Sequence, residues 1–97
     1  MRQYFLVSYD ISEPKRWRKV FKIVKGYGEH VQYSVFICQL TDLHKAELAA
    51  KLHEVIHHGE DQVMFVQIGP VTSDQLRKKI STIGRDYLPM DITKMIY

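Results

Sequence analysis

The sequence predicts a small domain of the α+β or α/β class, in which helices pack against a single sheet. Three short segments rich in aromatic and β-branched residues alternate with two segments in which apolar residues recur at helical spacing. The chain has 97 residues, of which 45% are hydrophobic and 26% are charged. That length suits one domain over residues 1–97 with a limited core, which a partner subunit would help to complete.

The first strand and the first helix are predicted at the start of the chain. Gln3–Tyr9 has the composition of a buried strand. The helix that follows has Ser12 as its expected N-cap and Pro14 in its first turn, where backbone N–H groups lack partners. Gly26 and Gly28 are expected to end it. Its core-facing stripe consists of Trp17, Val20, Phe21, Val24 and Tyr27.

The opposite face of this helix is basic. Six of the fourteen Lys and Arg residues fall within eleven positions, and Glu13 is the only acid nearby: Lys15, Arg16, Arg18, Lys19, Lys22 and Lys25. Arg16 lies at the edge of the face and the other five at its centre. Charges opposite a core stripe are often only solvated. Because compensating acids are missing, an anionic partner, most often nucleic acid, is an equally good interpretation.

The second half of the chain continues the alternation. His30–Leu40 is β-prone, and its period-2 pattern fits either one long strand or two short ones. A second helix is predicted from about Asp42 to His58, and a further strand over Gln62–Ile68. The tail, residues 71–97, holds a short basic stretch and ends in an apolar patch.

Asp10 is the first candidate site residue, because it is a carboxylate at the carboxyl end of a strand beside a basic helix. Such a hard oxygen ligand suits Mg²⁺, which needs only one or two carboxylates in addition to water and phosphate. The alternative is that Asp10 simply caps the helix. One Asp is also too few for a metal site in a single chain, but a two-fold dimer would bring two copies together.

His53–His57 spells H-E-x-x-H, the pattern of zinc peptidases. We expect a solvated helix face instead, since a peptidase needs a third ligand and a cleft, and adventitious metal binding by the histidines is the better interpretation. Cys38 lacks a nearby motif and suits a reducing compartment. With no apolar run long enough for a membrane span and no signal peptide, we expect a cytoplasmic protein.

Three runs taken together resemble the CRISPR-associated protein 2 family. They are Tyr9-Asp10-Ile11, Lys15-Arg16-x-Arg18-Lys19-Val20, and Tyr27-Gly28-x-x-Val31-Gln32-Tyr33-Ser34-Val35-Phe36. Asp61 before an apolar strand and the pair Ile83-Gly84 also fit. The resemblance covers nearly the whole chain, strongly between Tyr4 and Phe36 and loosely after Val71.

The resemblance implies an α+β, ferredoxin-like sandwich with the order β-α-β-β-α-β and an extra C-terminal strand. The segment from residue 31 to 40 should then divide near Tyr33 and Ser34. Residues 1–70 would form the core and residues 71–97 a dimerisation tail. The protein would be a homodimer in which Asp91–Tyr97 joins the partner's sheet.

The resemblance also assigns site residues. Asp10 matches a metal ligand, for Mg²⁺ or Mn²⁺, contributed by each protomer, and Tyr9 matches a position linked to activity. The positions expected to contact nucleic acid are Arg16, Arg18, Lys19, Lys22 and Phe36. The sequence departs from the family at His30, where a basic Arg or Lys is usual, so a phosphate contact at that point is in doubt.

Three functions follow from these expectations. The leading one is an adaptor in CRISPR adaptation, which binds duplex DNA through its basic surface and bridges copies of the CRISPR integrase, CRISPR-associated protein 1. The second is a metal-dependent endonuclease that cuts RNA or double-stranded DNA at paired Asp10 carboxylates. The third is a toxin-like ribonuclease or RNA-binding module with the same fold.

Overall fold

The computed structural model describes residues 1–72 and 75–85. Its elements in chain order are β1 (Gln3–Asp10), α1 (Pro14–Lys25), β2 (Gly28–Gln32), β3 (Val35–Leu40), α2 (Asp42–Val55), β4 (Gln62–Pro70) and α3 (Gln75–Lys79). The first six follow the predicted order β-α-β-β-α-β, and the β-prone middle segment divides at Tyr33 and Ser34 as expected. An α+β architecture is therefore confirmed.

The four strands form one antiparallel sheet in the order β2-β3-β1-β4. β1 is central, with Ser8 opposite Val35 on one side and Asp10 opposite Gln62 on the other. Because strand side chains alternate between faces, β1 sends Val7 and its odd-numbered neighbours toward the helices. Its even-numbered residues, Asp10 among them, point to the opposite face of the sheet.

The main core lies between the helices and one face of the sheet. α1 buries Val20 and Val24 there, and α2 buries Leu48 and Leu52. Trp17, predicted as part of the core-facing stripe, is instead partly exposed. A smaller cluster on the other face contains Tyr4, Ile37 and Leu76.

Three local predictions are wrong. Glu13, not Ser12, is the N-cap of α1, since its carboxylate accepts the backbone N–H groups of Lys15 and Arg16 at 2.8 and 2.9 Å. Gly28 does not end α1 but begins β2, and Gly26 alone follows the helix.

The third error is the end of α2. The helix stops at Val55, three residues before the predicted end, because the next residues turn back toward β4. In that turn the backbone N–H of His57 donates to the Asp61 carboxylate at 2.8 Å. This contact within the turn replaces the continuation of the helix.

The tail is described only in part. Its basic stretch at residues 77–79 belongs to α3, whereas the expected C-terminal strand, Asp91–Tyr97, lies outside the described residues. Among the helices in the described part of the chain, none has the length and apolar character that crossing a bilayer requires.

Candidate functional site

Asp10 is an exposed carboxylate at the carboxyl end of β1, on the sheet face opposite α1 and α2. Its side chain makes no hydrogen bond or ion pair to another residue of the described ranges. The capping interpretation is wrong, because Glu13 occupies the N-cap of α1. Asp10 is therefore available to a ligand.

One Asp10 is not a metal site by itself. Within residues 1–72 and 75–85, no group of three or more His, Cys, Asp or Glu side chains could hold a metal ion. A single hard carboxylate fits an ion such as Mg²⁺ only when water, phosphate or a second carboxylate completes the shell. The donor set thus fits magnesium on the condition that a second copy of Asp10 approaches it.

Tyr9 precedes Asp10 but points to the other side of the sheet, into the main core. Its ring stacks on Phe36 at 6.2 Å, and its buried hydroxyl lacks a hydrogen-bond partner in the described chain. Burial raises the pKa of this hydroxyl, and the neighbouring Ser34 side chain offsets part of the rise. In this arrangement Tyr9 does not meet a ligand held at Asp10.

Phe36 was assigned from the sequence to contact nucleic acid, and the structure corrects this assignment. Its side chain is 0% exposed, so it does not offer a face to nucleic acid. Its ring instead packs against those of Tyr9, Phe21 and His30, at centroid distances of 6.2, 5.5 and 5.0 Å. Phe36 supports the hairpin and α1 from inside the core.

The basic surface predicted on α1 is present. Its five central members are all exposed: Lys15, Arg18, Lys19, Lys22 and Lys25. The only ion pairs in the described ranges involve a different residue of the helix, Arg16. None of these five cations, hereafter the basic face, forms an ion pair within the described ranges, which favours a polyanion as partner.

Arg16 is turned away from the basic face. Its Nε donates to Oδ2 of Asp61 at 2.8 Å, and its Nη2 donates to Ser12 Oγ at 3.1 Å and to Glu60 Oε1 at 3.3 Å. The Asp61 side chain is 0% exposed and also accepts the backbone N–H groups of Ser12 and His57. The Arg16 guanidinium holds the pKa of the Asp61 carboxyl well below its usual range.

This group, hereafter the Asp61 clamp, ties three segments together: the loop after Asp10, the first turn of α1 and the turn between α2 and β4. Because Gln62 lies directly opposite Asp10 in the sheet, the clamp fixes the backbone beside Asp10 on both strands. The Asp61 clamp was not predicted from the sequence, since Arg16 and Asp61 are 45 positions apart and no local pattern joins them.

The histidines serve the fold. Nε2–H of His30 donates to the carbonyl oxygen of Tyr33 at 2.6 Å, so the side chain at this departure from the family is engaged in the hairpin turn. His57 lies beyond the end of α2, and its Nδ1 accepts the backbone N–H of Gly59. His53 stacks on His58 instead. The expected solvated helix face therefore does not extend to His57, and in this described segment the motif lacks the helical geometry of a zinc peptidase.

Comparison with known proteins gives a consistent picture. The model of the family described as CRISPR associated protein Cas2 matches residues 1–79. A relative from Geobacter sulfurreducens, named CRISPR-associated endoribonuclease Cas2, is 36% identical over 90 residues, which are 93% of each chain.

Solved structures agree with the sequence comparison. Cas2 from Streptococcus pyogenes, crystallised at pH 6.5, aligns with a TM-score of 0.70 and 28% identity over 84% of this chain and 99% of that one. A chain of a partial Cas6-RT-Cas1–Cas2 complex aligns with a TM-score of 0.71 and 25% identity, covering 92% of this chain and 98% of that one.

Proposed function

The chain belongs to the CRISPR-associated protein Cas2 family, and from that premise we propose that it acts in CRISPR adaptation as a homodimer that binds nucleic acid and bridges copies of the integrase, CRISPR-associated protein 1, in the cytoplasm. The observation that carries the proposal is the basic face, which lacks acidic partners in the described chain. The similarity to a chain of a Cas1–Cas2 complex supports the choice of partner.

The sheet supports the proposed homodimer. On the face opposite α1 and α2, close to Asp10, Met64 and Val66 of β4 are each nearly half exposed. A second copy that packs on this face would cover both side chains and bring the two Asp10 residues toward each other. The strand order β2-β3-β1-β4 supports a ferredoxin-like domain, and β4, at the edge of the sheet, offers a place for the partner's Asp91–Tyr97.

The basic face would hold the phosphates of a duplex without reading its bases. Its members project from α1, which covers one face of the sheet, while Asp10 points to the other. A duplex on α1 is therefore separated from the Asp10 carboxylate of the same protomer by the thickness of the sheet. This separation favours the bridging role over cleavage as the function of the bound duplex.

Salt dependence of DNA binding tests the proposal. We expect the logarithm of the association constant of wild-type protein for a blunt duplex to fall linearly with the logarithm of the salt concentration. Each phosphate contact that is lost in Lys19→Gln/Lys22→Gln should reduce the slope by about 0.9. The matched control is Lys45→Gln/Lys51→Gln, which removes two cations from α2 and should leave the slope unchanged. Equal slopes for the two double variants would contradict the role of the basic face.

A second candidate function is a metal-dependent endonuclease, which the free, exposed Asp10 carboxylate favours. The relative from Geobacter sulfurreducens carries the name endoribonuclease. Two Asp10 carboxylates would hold Mg²⁺ or Mn²⁺, which supplies charge neutralisation at a phosphate and favours ionisation of water. The Asp61 clamp would orient the loop that follows Asp10.

Replacing Asp10 by Asn separates the two functions. If the site cuts phosphodiester bonds, Asp10→Asn should abolish cleavage of labelled RNA and DNA in the presence of Mg²⁺ or Mn²⁺, while dimerisation and duplex binding persist. Cleavage by the variant at the wild-type rate would assign the nuclease activity to a contaminant. A wild-type protein without cleavage that still binds duplex would leave the bridging role as the function.

A further inference from the structure

The turn between β2 and β3 carries an aromatic side chain that is exposed to solvent. Tyr33 is 86% exposed and has a φ of 42°, the one positive φ at a non-glycine residue in the described ranges. A bulky residue adopts this left-handed conformation rarely, because its Cβ crowds the following carbonyl. Glycine or Asn would suit the turn better. The ring is therefore not needed for the backbone of this turn, nor is it buried in a core.

The turn is held in place from three sides. His30 donates its Nε2–H to the Tyr33 carbonyl at 2.6 Å, and the His30 ring contacts both Phe21 and Phe36, at 5.3 and 5.0 Å. The backbone N–H of Tyr9 donates to the Ser34 carbonyl at 3.1 Å. Strained residues that the surrounding structure holds firmly in this way are concentrated at ligand-binding sites.

The chemistry around Tyr33 points to an anionic, aromatic ligand. The next residue, Ser34, accepts a hydrogen bond from the indole N–H of Trp17 at 3.4 Å, so the turn lies against α1. At about 100° per residue, Trp17 is followed around the helix by Lys25, Arg18 and Lys22, all exposed. The turn thus lies on the side of α1 that leads to the basic face. Its immediate neighbours, Trp17 and Phe21, are aromatic, and the cations that follow them around the helix favour an anionic ligand with a ring to stack over a purely apolar protein surface.

We propose that Tyr33 is a base-stacking residue, whose ring takes one unpaired nucleobase of a strand whose phosphates lie on the basic face. This rests on the proposed nucleic-acid binding. A single ring at the tip of a hairpin can stack on a base that is unpaired and no longer stacked on its neighbours. It cannot reach a paired base inside a duplex. Stacking on an aromatic ring accepts any base, so the contact selects for single-stranded character rather than sequence.

The test compares a single-stranded oligonucleotide with a blunt duplex of the same length, using the full chain. Tyr33→Asn removes the ring and keeps a residue that tolerates the left-handed turn. We expect it to weaken binding of the single strand by about fivefold or more and to leave binding of the blunt duplex unchanged. Tyr33→Phe should bind both probes as the wild type does. The matched control is Leu43→Asn, because Leu43 is also largely exposed, 66%, but lies on α2.

A spectroscopic measurement on the wild type makes the test independent of variant folding. A 2-aminopurine base within the single strand should lose fluorescence on binding, because stacking on the Tyr33 ring quenches it. Tyr33→Asn with wild-type affinity for the single strand, or no quenching by the wild type, would overturn the stacking role. A wild-type protein that binds neither probe would instead refute the nucleic-acid function itself. A change in sedimentation on Tyr33→Asn would reassign the ring to a protein interface.

Discussion

Gly28 begins β2 where the two strands of the hairpin approach each other closely, and Gly28→Ala tests how far the fold depends on that approach. A Cβ at position 28 would press on the carbonyl oxygen of Ile37, and would lie 2.5 Å from Sγ and 2.9 Å from Cα of Cys38. Two of these three atoms belong to the backbone of β3, so no rotation of a side chain relieves the overlap. The strands must move apart.

The size of the effect follows from this geometry. Overpacking in a well-packed site costs about 1–3 kcal/mol, and the backbone obstacles place Gly28→Ala at the upper end. A loss of about 3 kcal/mol is a large share of the roughly 5–15 kcal/mol that stabilises a domain. For a chain of this size it corresponds to a fall in Tm of about 12–24 °C.

Urea unfolding, followed by circular dichroism, measures the loss. Gly26→Ala is the matched control, because a Cβ at position 26 meets the Ile23 carbonyl at 3.3 Å and the Lys22 carbonyl at 3.9 Å, and the backbone is already helical. That control should change the free energy of unfolding by less than about 1 kcal/mol. Adding Cys38→Ala to Gly28→Ala should restore little, since the backbone contacts remain. Equal unfolding midpoints for Gly28→Ala and Gly26→Ala would refute the reasoning.

Three further predictions concern the core and the clamp. Burial raises the pKa of the Cys38 thiol to about 12, so the native protein should react with a thiol reagent only as fast as it unfolds. Phe36→Leu should bind duplex DNA as the wild type does, whereas Phe36→Ala should lose about 3–5 kcal/mol of stability; loss of binding by a folded Phe36→Leu would contradict its assignment to the core. Asp61→Asn should lower stability at neutral pH. Because the folded state lowers the pKa of Asp61, the deficit should persist above the usual carboxyl range and shrink as the pH of the unfolding experiment falls below it.

The elements of the fold follow local rules, and the sequence predicted them for that reason. The sequence pattern located both helices and the three β-prone segments of residues 1–70, and Pro14 correctly indicated the start of α1. The division at Tyr33 and Ser34 came from the family resemblance, because a period-2 pattern continues across a tight turn. The end of α2 was predicted wrongly because the turn after it is closed by Asp61, whose carboxylate is in turn held by Arg16, 45 positions away.

The positions of the candidate site residues were predictable from the sequence, but the contacts and exposure of their side chains were not. The sequence placed Asp10 at the end of β1 and the basic face on α1, and the structure keeps both there. It could not show that Arg16 pairs with Asp61, since that pairing depends on the return of the chain at β4. Nor could it separate Phe36, which is buried, from Tyr33, which is exposed, in one β-prone run.

The four-stranded sheet places a single layer of backbone between α1 and Asp10, and this arrangement has a consequence for how the protein can change over time. The two surfaces share no described side chain, so each can gain or lose residues while the other is preserved. A descendant could replace Asp10 and still keep every cation of α1, or exchange those cations and still keep the carboxylate. The two faces of the sheet can therefore evolve independently within one small protein.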